Sequence, residues 1–158
     1  MTHCDGGWYY EMQELGYNYR ITEFQAALAS SQLKRLDWSI ERRNEIAQRY
    51  DHALKNLTLL TPYREDGIRH AFHLYVIEVH PSKRKPLYDY LREHNIFSQV
   101  LYIPAHTMPY YRSIGWKEGD CPIAEDYYTR CLALPMYPSL TNEEQDYVIE
   151  TIIDFYSK

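Results

Sequence analysis

Cysteine is scarce in this sequence, and the few cysteines lie far apart. The 158 residues contain three, at Cys4, Cys121 and Cys131, and no two of them have C-x-x-C spacing. An odd, scattered set argues against a disulfide framework and a zinc site, so we predict no metal site and a reducing, cytoplasmic setting. Residues 1–5 lack a signal-peptide pattern, and no apolar run is long enough to span a membrane, so we expect no membrane partner.

Excess positive charge and the common catalytic signatures are also absent. Lysine and arginine number 17 against 22 acidic residues, and the net charge of −5 predicts no nucleic-acid partner. The sequence has no P-loop and no G-x-G-x-x-G, H-E-x-x-H or G-x-S-x-G motif. Tyrosine, by contrast, occurs 17 times and phenylalanine only 4 times. Tyrosine suits clefts and interfaces that are half buried and half wet.

The first third of the chain predicts an irregular lead-in followed by two helices. Residues 1–21 are rich in glycine and aromatic residues and have no helical or strand period. Thr22 and Gln25 fit a capping box, which predicts a helix start. Asp37 is the predicted cap of a second helix with one apolar and one charged face. The apolar face has Ile40, Ile46, Ala47, Tyr50 and Leu54, and the charges expected to be solvated are Glu41, Arg42, Arg43, Glu45 and Arg49.

The centre of the chain predicts a strand–helix–strand unit. Residues 57–60 form a short apolar run, and residues 69–80 are rich in β-formers and end before a proline. Ser82 can cap a helix that continues to Asn95. Residues 96–103 are again strand-like and stop at Pro104.

The last third predicts loops and two further helices. Residues 104–122 are rich in proline and glycine. A short helix is predicted from Ile123 to Leu132, and a terminal helix begins at the capping box of Thr141 and Glu144. Its predicted inward-facing residues are Tyr147, Val148, Ile152 and Phe155. Helices followed by a small sheet covered by helices give an α+β fold class.

Some side chains suggest ligand binding by their chemistry alone. His70 and His73 are three apart on a predicted strand, so they point to opposite faces and disfavour a shared metal, although either can face a cleft. Residues 102–106, Tyr-Ile-Pro-Ala-His, follow a predicted strand end, where ligand-contacting loops tend to lie. Simple loop packing explains them equally well.

Two further groups suit an anionic ligand. Tyr110, Tyr111 and Arg112 fall within one helical turn and suit a polar, ring-containing ligand with an anionic group. Asn18 and Arg20 precede a helix start, where amide and guanidinium groups suit phosphate. Turn hydrogen bonding by Asn18 and a surface position for Arg20 are the simpler alternative.

Four segments resemble one enzyme family. Residues 15–28, LGYNYRITEFQAAL, are similar to a hallmark of the DegT-type nucleotide-sugar aminotransferases. The segments HLYVI at 73–77, YIPAH at 102–106 and LPMYP at 134–138 follow in that family's order. The resemblance extends from about Trp8 to Phe155. Within the family it is greatest to transaminases that make UDP-4-amino-4,6-dideoxy-N-acetyl-altrosamine, a pseudaminic acid precursor.

The resemblance implies part of a homodimeric, fold-type I enzyme that uses pyridoxal phosphate. Such enzymes move an amino group, commonly from glutamate, to a keto nucleotide-sugar. Residues 22–158 resemble the C-terminal small domain, and residues 1–21 would pack on a large domain that carries the Schiff-base lysine. None of the six lysines lies in the family's lysine motif, so we expect no catalytic residue, no cofactor binding and no activity in this chain alone. A truncated gene, a single domain and half of a split enzyme all fit.

The resemblance also suggests roles for six residues. Asn18 matches an asparagine that reaches the cofactor phosphate of the neighbouring subunit, and Arg20 is expected to contact the cofactor or the nucleotide-sugar. Tyr102 and His106 match the segment that lines the sugar-nucleotide cleft. His73 and Tyr111 are weaker candidates for the same wall.

Two other functions fit parts of the sequence. A non-enzymatic assembly or binding module could use the tyrosine-rich surface to pair with a separate N-terminal half. An unrelated α+β enzyme using His106 with Asp120 or Glu125 has no supporting spacing.

Overall fold

The computed structural model describes residues 14, 16–17 and 19–158. The chain divides into two compact units, residues 1–35 and residues 36–158. Most of the predicted lead-in, residues 1–21, lies outside the described residues.

The first unit contains one described helix, α1 (Glu23–Leu33). The predicted capping box is confirmed, because the Thr22 hydroxyl accepts from the Gln25 amide at 3.3 Å and Gln25 Oε1 accepts from the Thr22 amide at 2.9 Å. No side chain of α1 is buried, and the Phe24 ring is 79% exposed. Capping hydrogen bonds therefore stabilise α1, whereas burial of its own side chains does not stabilise it.

The second unit begins with α2 (Leu36–Leu54), whose apolar face forms part of the core. Ile46, Ala47, Tyr50 and Leu54 are fully buried, as the helical period predicted. The prediction that Asp37 caps this helix is wrong, because the helix begins at Leu36 and Asp37 lies within its first turn.

Three short strands form an antiparallel sheet. They are β1 (Leu59–Leu60), β2 (Tyr75–Val79) and β3 (Cys131–Leu134), in the order β1-β2-β3. Ile77 of β2 lies opposite Leu132 of β3. Buried and half-buried residues alternate along β2, whereas every residue of β3 is buried.

Strand β2 is shorter than predicted. It begins at Tyr75, so His70 and His73 lie in the preceding loop, and the prediction that they occupy opposite faces of a strand is wrong. The reason is local: Phe72 has a φ of +42°, which is incompatible with extended backbone.

The second predicted strand, residues 96–103, is also wrong. Only Gln99 pairs there, in a bridge with Ala133 whose N–H···O distances are 2.8 and 3.1 Å. Burial alternates only at the start of the segment, where Ile96 and Ser98 are buried and Phe97 is 64% exposed, and it is lost by Tyr102, which is 94% exposed. No residue from 100 to 103 is buried, and without burial of one face a run of β-forming residues has little to hold it as a strand.

Helix α3 (Pro81–Glu93) follows β2 directly. Its cap is His80 and not Ser82 as predicted, because the His80 ring nitrogen Nδ1 accepts from the Ser82 amide at 3.3 Å. Pro81 takes the first helical position, where its missing N–H costs nothing.

The short helix α4 (Pro109–Ser113) and two longer helices complete the second unit. Helix α5 (Pro122–Arg130) ends before Leu132, which lies in β3, so the predicted helix extends too far. Helix α6 (Asn142–Ser157) has the predicted capping box at Thr141. Val148 and Ile152 are buried as predicted, but Tyr147 is 49% exposed, and its hydroxyl donates to the His94 carbonyl at 3.2 Å.

The predicted α+β class is confirmed. Helices α3 and α5 contact the sheet, and α6 packs against α2 and α3. Their shared core includes Tyr50, Tyr75, Leu91, Leu132 and Ile152, each with no exposed surface. Among the described residues, no helix combines the length and the apolar character that crossing a membrane requires.

Candidate substrate-binding segments

The two residues proposed for phosphate binding lie in the first unit. Asn18 falls outside the described residues. Arg20 is exposed and lies two positions before Thr22, the cap of α1. An exposed guanidinium beside a helix start suits an anionic group.

His73 lies in a loop that α2 holds rigidly. Its side chain is exposed, and its carbonyl accepts a hydrogen bond from Arg43 at 3.3 Å. The same Arg43 nitrogen donates to the carbonyls of Phe72 at 2.7 Å and Met136 at 3.1 Å. Asn44 adds a bond to the His70 carbonyl at 2.8 Å. These bonds fix the backbone that presents His73.

Arg42 and Arg43 are not the solvated charges that the sequence predicted. Both are half-buried, and Arg42 donates to the Leu140 carbonyl at 2.8 Å. Their positions on α2 place them next to loop carbonyls that have no partner in a strand or helix, and buried carbonyls need such partners. The sequence contains no local signal for this role, because the carbonyls come from 29 to 98 residues away.

Residues 102–113 carry three of the predicted cleft residues. Tyr102 is almost fully exposed. A 3-10 helix (Ala105–Thr107) and then α4 (Pro109–Ser113) follow. The Thr107 hydroxyl donates to the Pro104 carbonyl at 2.8 Å and closes the first turn. Within this stretch His106 is 8% exposed, whereas Tyr111 is 39% exposed.

The His106 ring contacts a carboxylate from a different element. Its Nε2 atom lies 2.7 Å from Oε1 of Glu125 in α5. Glu125 also accepts from the Gly119 amide at 2.8 Å and the Cys121 amide at 3.3 Å. Gly119 has a φ of +91°, which favours glycine, and this turn directs its amide to the carboxylate.

These contacts set the charge state of Glu125. The hydrogen bond from His106, reinforced by the bonds from Gly119 and Cys121, lowers the pKa of the Glu125 carboxyl below its ordinary value. The carboxylate is therefore ionised at neutral pH and accepts from all three donors. The other carboxylate considered with His106, Asp120, instead accepts from the Lys117 amide at 2.9 Å.

Tyr111 and Arg112 lie beside this segment in α4. The rings of Tyr110 and Tyr111 meet edge to face, with 5.4 Å between their centres. The Arg112 guanidinium is 2.9 Å from Glu118, so an anionic ligand would have to compete with that carboxylate.

The structure brings together only some of the predicted residues. The 3-10 helix of His106 contacts the α4 helix of Tyr111, but His73 lies in a separate loop. Within the described residues, no hydrogen bond or ring contact joins Tyr102, His106, Tyr111 and His73. Cavities of about 360 Å³ and 670 Å³ are lined by other residues, including Tyr147 in the first and Cys121 and Tyr127 in the second.

Comparison with known proteins identifies the family. Residues 3–153 match the model of the DegT/DnrJ/EryC1/StrS aminotransferase family. The chain belongs to this family. The resemblance seen in the sequence is thereby confirmed over nearly the whole chain.

Several members of the family are similar to the chain. It is 45% identical over 157 residues to the spore coat polysaccharide biosynthesis protein SpsC of Bacillus subtilis, which covers 95% of this chain and 40% of that protein. It is 31% identical to the UDP-4-amino-4,6-dideoxy-N-acetyl-β-L-altrosamine transaminase of Campylobacter jejuni, over 96% of this chain and 41% of that one. A crystal structure of a DegT/DnrJ/EryC1/StrS aminotransferase from Brucella abortus matches with a TM-score of 0.84 and 33% identity, over 97% of this chain and 40% of that one. The chain therefore spans about two fifths of the length of these relatives.

The described lysines do not fit the covalent part of a pyridoxal phosphate site. A Schiff-base lysine acts from a pocket that shields it from water and lowers its pKa. All six lysines of this family member are described, and all are exposed. Lys85 lies beside Asp89, Lys83 lies over the Tyr156 ring at 4.5 Å, and Lys158 donates to the Tyr90 hydroxyl at 3.0 Å.

Metal ligation also finds no support in this part of the chain. Among the described residues, no three His, Cys, Asp or Glu side chains form a group that could hold a metal ion.

Proposed function

We propose that this chain forms the small-domain part of an aminotransferase that transfers an amino group, commonly from glutamate, to a keto nucleotide-sugar. The observation that carries this proposal is the family match over residues 3–153, together with the agreement in fold with the Brucella enzyme. The cofactor of the assembled enzyme is pyridoxal phosphate, which supplies the electron sink for amino transfer.

The Schiff-base lysine comes from a part of the enzyme outside these 158 residues. The chain spans about 40% of its relatives, and each of its own lysines is exposed to water. On this proposal the chain alone neither holds the cofactor covalently nor transaminates. The contribution of this chain is to the substrate cleft.

The cleft wall is assigned to the segment that carries Tyr102, His106 and Tyr111, with His73 as a further contact. Tyr102 and Tyr111 expose their rings, which suits stacking and hydrogen bonding to a nucleotide-sugar. Asn18 is assigned to the phosphate of the cofactor, and Arg20 to the cofactor or the nucleotide-sugar. An amide and an exposed guanidinium near a capped helix suit that chemistry.

The proposed substrate is a class and not one sugar. The name of the Campylobacter relative supports a UDP-linked sugar that is aminated at position 4. Pseudaminic acid synthesis, which the resemblance in the sequence implied, is the finer proposal. The Bacillus relative is more similar to this chain and is named for spore coat polysaccharide. Both names agree with a role in making amino sugars for a surface polysaccharide.

The proposed assembly requires a partner. Helix α1 exposes Phe24, Leu28 and Leu33, which favours coverage by another chain or another domain. A homodimer and a separate large-domain half both satisfy this. The alternative function, an assembly module without catalysis, rests on the same surface. The proposed location is the cytoplasm, where Cys121 and Cys131 would stay free thiols, as the structure has them.

A chimera tests the proposal. The segment of the Bacillus relative that matches this chain is replaced by residues 1–158, and the cofactor spectrum is followed as L-glutamate is added. We expect conversion of bound pyridoxal phosphate to pyridoxamine phosphate in the chimera and none in this chain alone. The second half-reaction, with a keto nucleotide-sugar, tests His106 through the variant His106→Asn. The matched control is His52→Asn, which changes an exposed histidine of α2. A folded chimera that binds the cofactor but never converts it would contradict the proposal.

A further inference from the structure

The hydrogen bond between Glu125 and His106 determines which ring nitrogen of His106 carries a proton. The Glu125 carboxylate is ionised, so it can only accept hydrogen bonds. His106 Nε2, 2.7 Å from Oε1, must therefore carry a proton and donate it. In the neutral imidazole the other nitrogen, Nδ1, is then a bare acceptor.

The Nδ1 atom of His106 is available to hydrogen bond to a ligand. In the described part of the chain no group hydrogen bonds to Nδ1, whereas Nε2 is held by Glu125. The carboxylate is itself held, because the Gly119 amide donates to Oε1 at 2.8 Å and to Oε2 at 3.1 Å. The Cys121 amide adds a third donor at 3.3 Å. The His106 ring thus hydrogen bonds to a carboxylate that is itself held in place. These bonds connect the loop at residues 117–121 to the segment that carries His106.

We propose that Glu125 is a positioning residue for the cleft: it holds the His106 imidazole with Nε2 protonated, so that Nδ1 accepts a hydrogen bond from a hydroxyl or N–H of the nucleotide-sugar. This deepens the proposed function, on which the assignment of His106 to the cleft rests. The complementary ligand group is a donor on the sugar and not a phosphate oxygen, because two acceptors do not attract each other.

The test reads the ring nitrogens directly. The chain is labelled with 15N-histidine, and the imidazole signals are recorded near neutral pH. The His106 signal is the one lost in His106→Asn. We expect a protonated Nε2 and a bare Nδ1, with slow exchange of the Nε2 proton. In Glu125→Gln, where the charged bond becomes neutral, we expect that exchange to accelerate about tenfold and the Nδ1-protonated form to become populated.

The control and the contrary outcomes are equally direct. Glu118→Gln removes a carboxylate of the same loop that pairs with Arg112, and it should leave the His106 signals unchanged. A wild-type ring protonated on Nδ1 would overturn the proposal, as would a folded Glu125→Gln variant with unchanged tautomer and exchange. If that variant does not fold, the wild-type tautomer and exchange rate decide the question. Failure of the chimera would not alter this result, so the two proposals are tested separately.

Discussion

Within the second unit, Arg43 is the side chain that forms hydrogen bonds to the most loop carbonyls. It binds three carbonyls, two from the loop before β2 and one, Met136, from the loop after β3. Loss of charged hydrogen bonds that leaves buried carbonyls unpaired costs about 2–3 kcal/mol. We therefore expect Arg43→Ala to lower the free energy of unfolding by about that amount, as measured by urea denaturation.

The matched control for Arg43 is Arg112. Its exposed pair with Glu118 should contribute about 0–0.5 kcal/mol, so Arg112→Ala should leave the urea midpoint nearly unchanged. Equal effects of the two substitutions would show that the carbonyl contacts of Arg43 do not stabilise the fold.

Glu125 should make stability depend on pH in the acid range. Its pKa in the folded chain is lowered from the ordinary value of 4.5, first by the bond from His106 and then by the amides of Gly119 and Cys121. The resulting stabilisation is complete above the unfolded pKa and is lost as the pH falls through the folded pKa. The gap in urea midpoint between wild type and Glu125→Gln should therefore shrink as the pH falls below about 4.5. A gap that widens in acid would contradict this assignment.

Residue chemistry yielded candidate site residues only where the signal was local. Tyr102 and His106 were singled out because they lie in a segment that resembles the family's and that follows a predicted strand end, and their place in a cleft stays a prediction. The pairing of His106 with Glu125 has no sequence signal, since 19 residues and an irregular loop separate the two. Arg43 was missed for the same reason: a surface-like position on a helix gives no indication of distant carbonyls.

At the scale of helices, the two capping boxes should differ in how much they stabilise the folded chain. Thr141 caps α6, whose Val148 and Ile152 are in the core, whereas Thr22 caps α1, which buries no side chain. Loss of such a cap costs about 1 kcal/mol in a helix that unfolds with the core. Thr141→Ala should lower the free energy of unfolding by that amount, as measured by urea denaturation. Thr22→Ala should reduce only the helical circular dichroism signal. The reverse order of effects would contradict the account of α1.

Helices were predicted better than strands, and the reason is physical. The period of α2 and the caps of α1 and α6 are local features that the structure confirms. The strand predicted at residues 96–103 depended on burial beside β3, and only Gln99 pairs there. Likewise the predicted helix was extended to Leu132, into the first half of β3, because an apolar run of four residues buried on both faces has no period of 2.

At the scale of the whole molecule, a well-packed core in the second unit contrasts with exposed apolar and aromatic side chains elsewhere in the described residues. The core around Tyr50, Tyr75 and Ile152 has no exposed surface, so residues 36–158 form a unit with a core of its own. The apolar residues of α1 and the rings of Tyr102 and Tyr110 remain exposed. The proposed large domain or partner chain would cover such surfaces, since the chain spans about two fifths of the length of its relatives.

The most direct test of the central claim is cofactor trapping on the purified chain. Pyridoxal phosphate is added, the visible spectrum is recorded, borohydride is added, and the modified peptides are mapped by mass spectrometry. Six exposed lysines without a cofactor pocket should give only weak, scattered labelling, with no lysine modified stoichiometrically. Stoichiometric labelling of one lysine would contradict the claim that the Schiff-base residue lies outside this chain, and that lysine would then mark its active site.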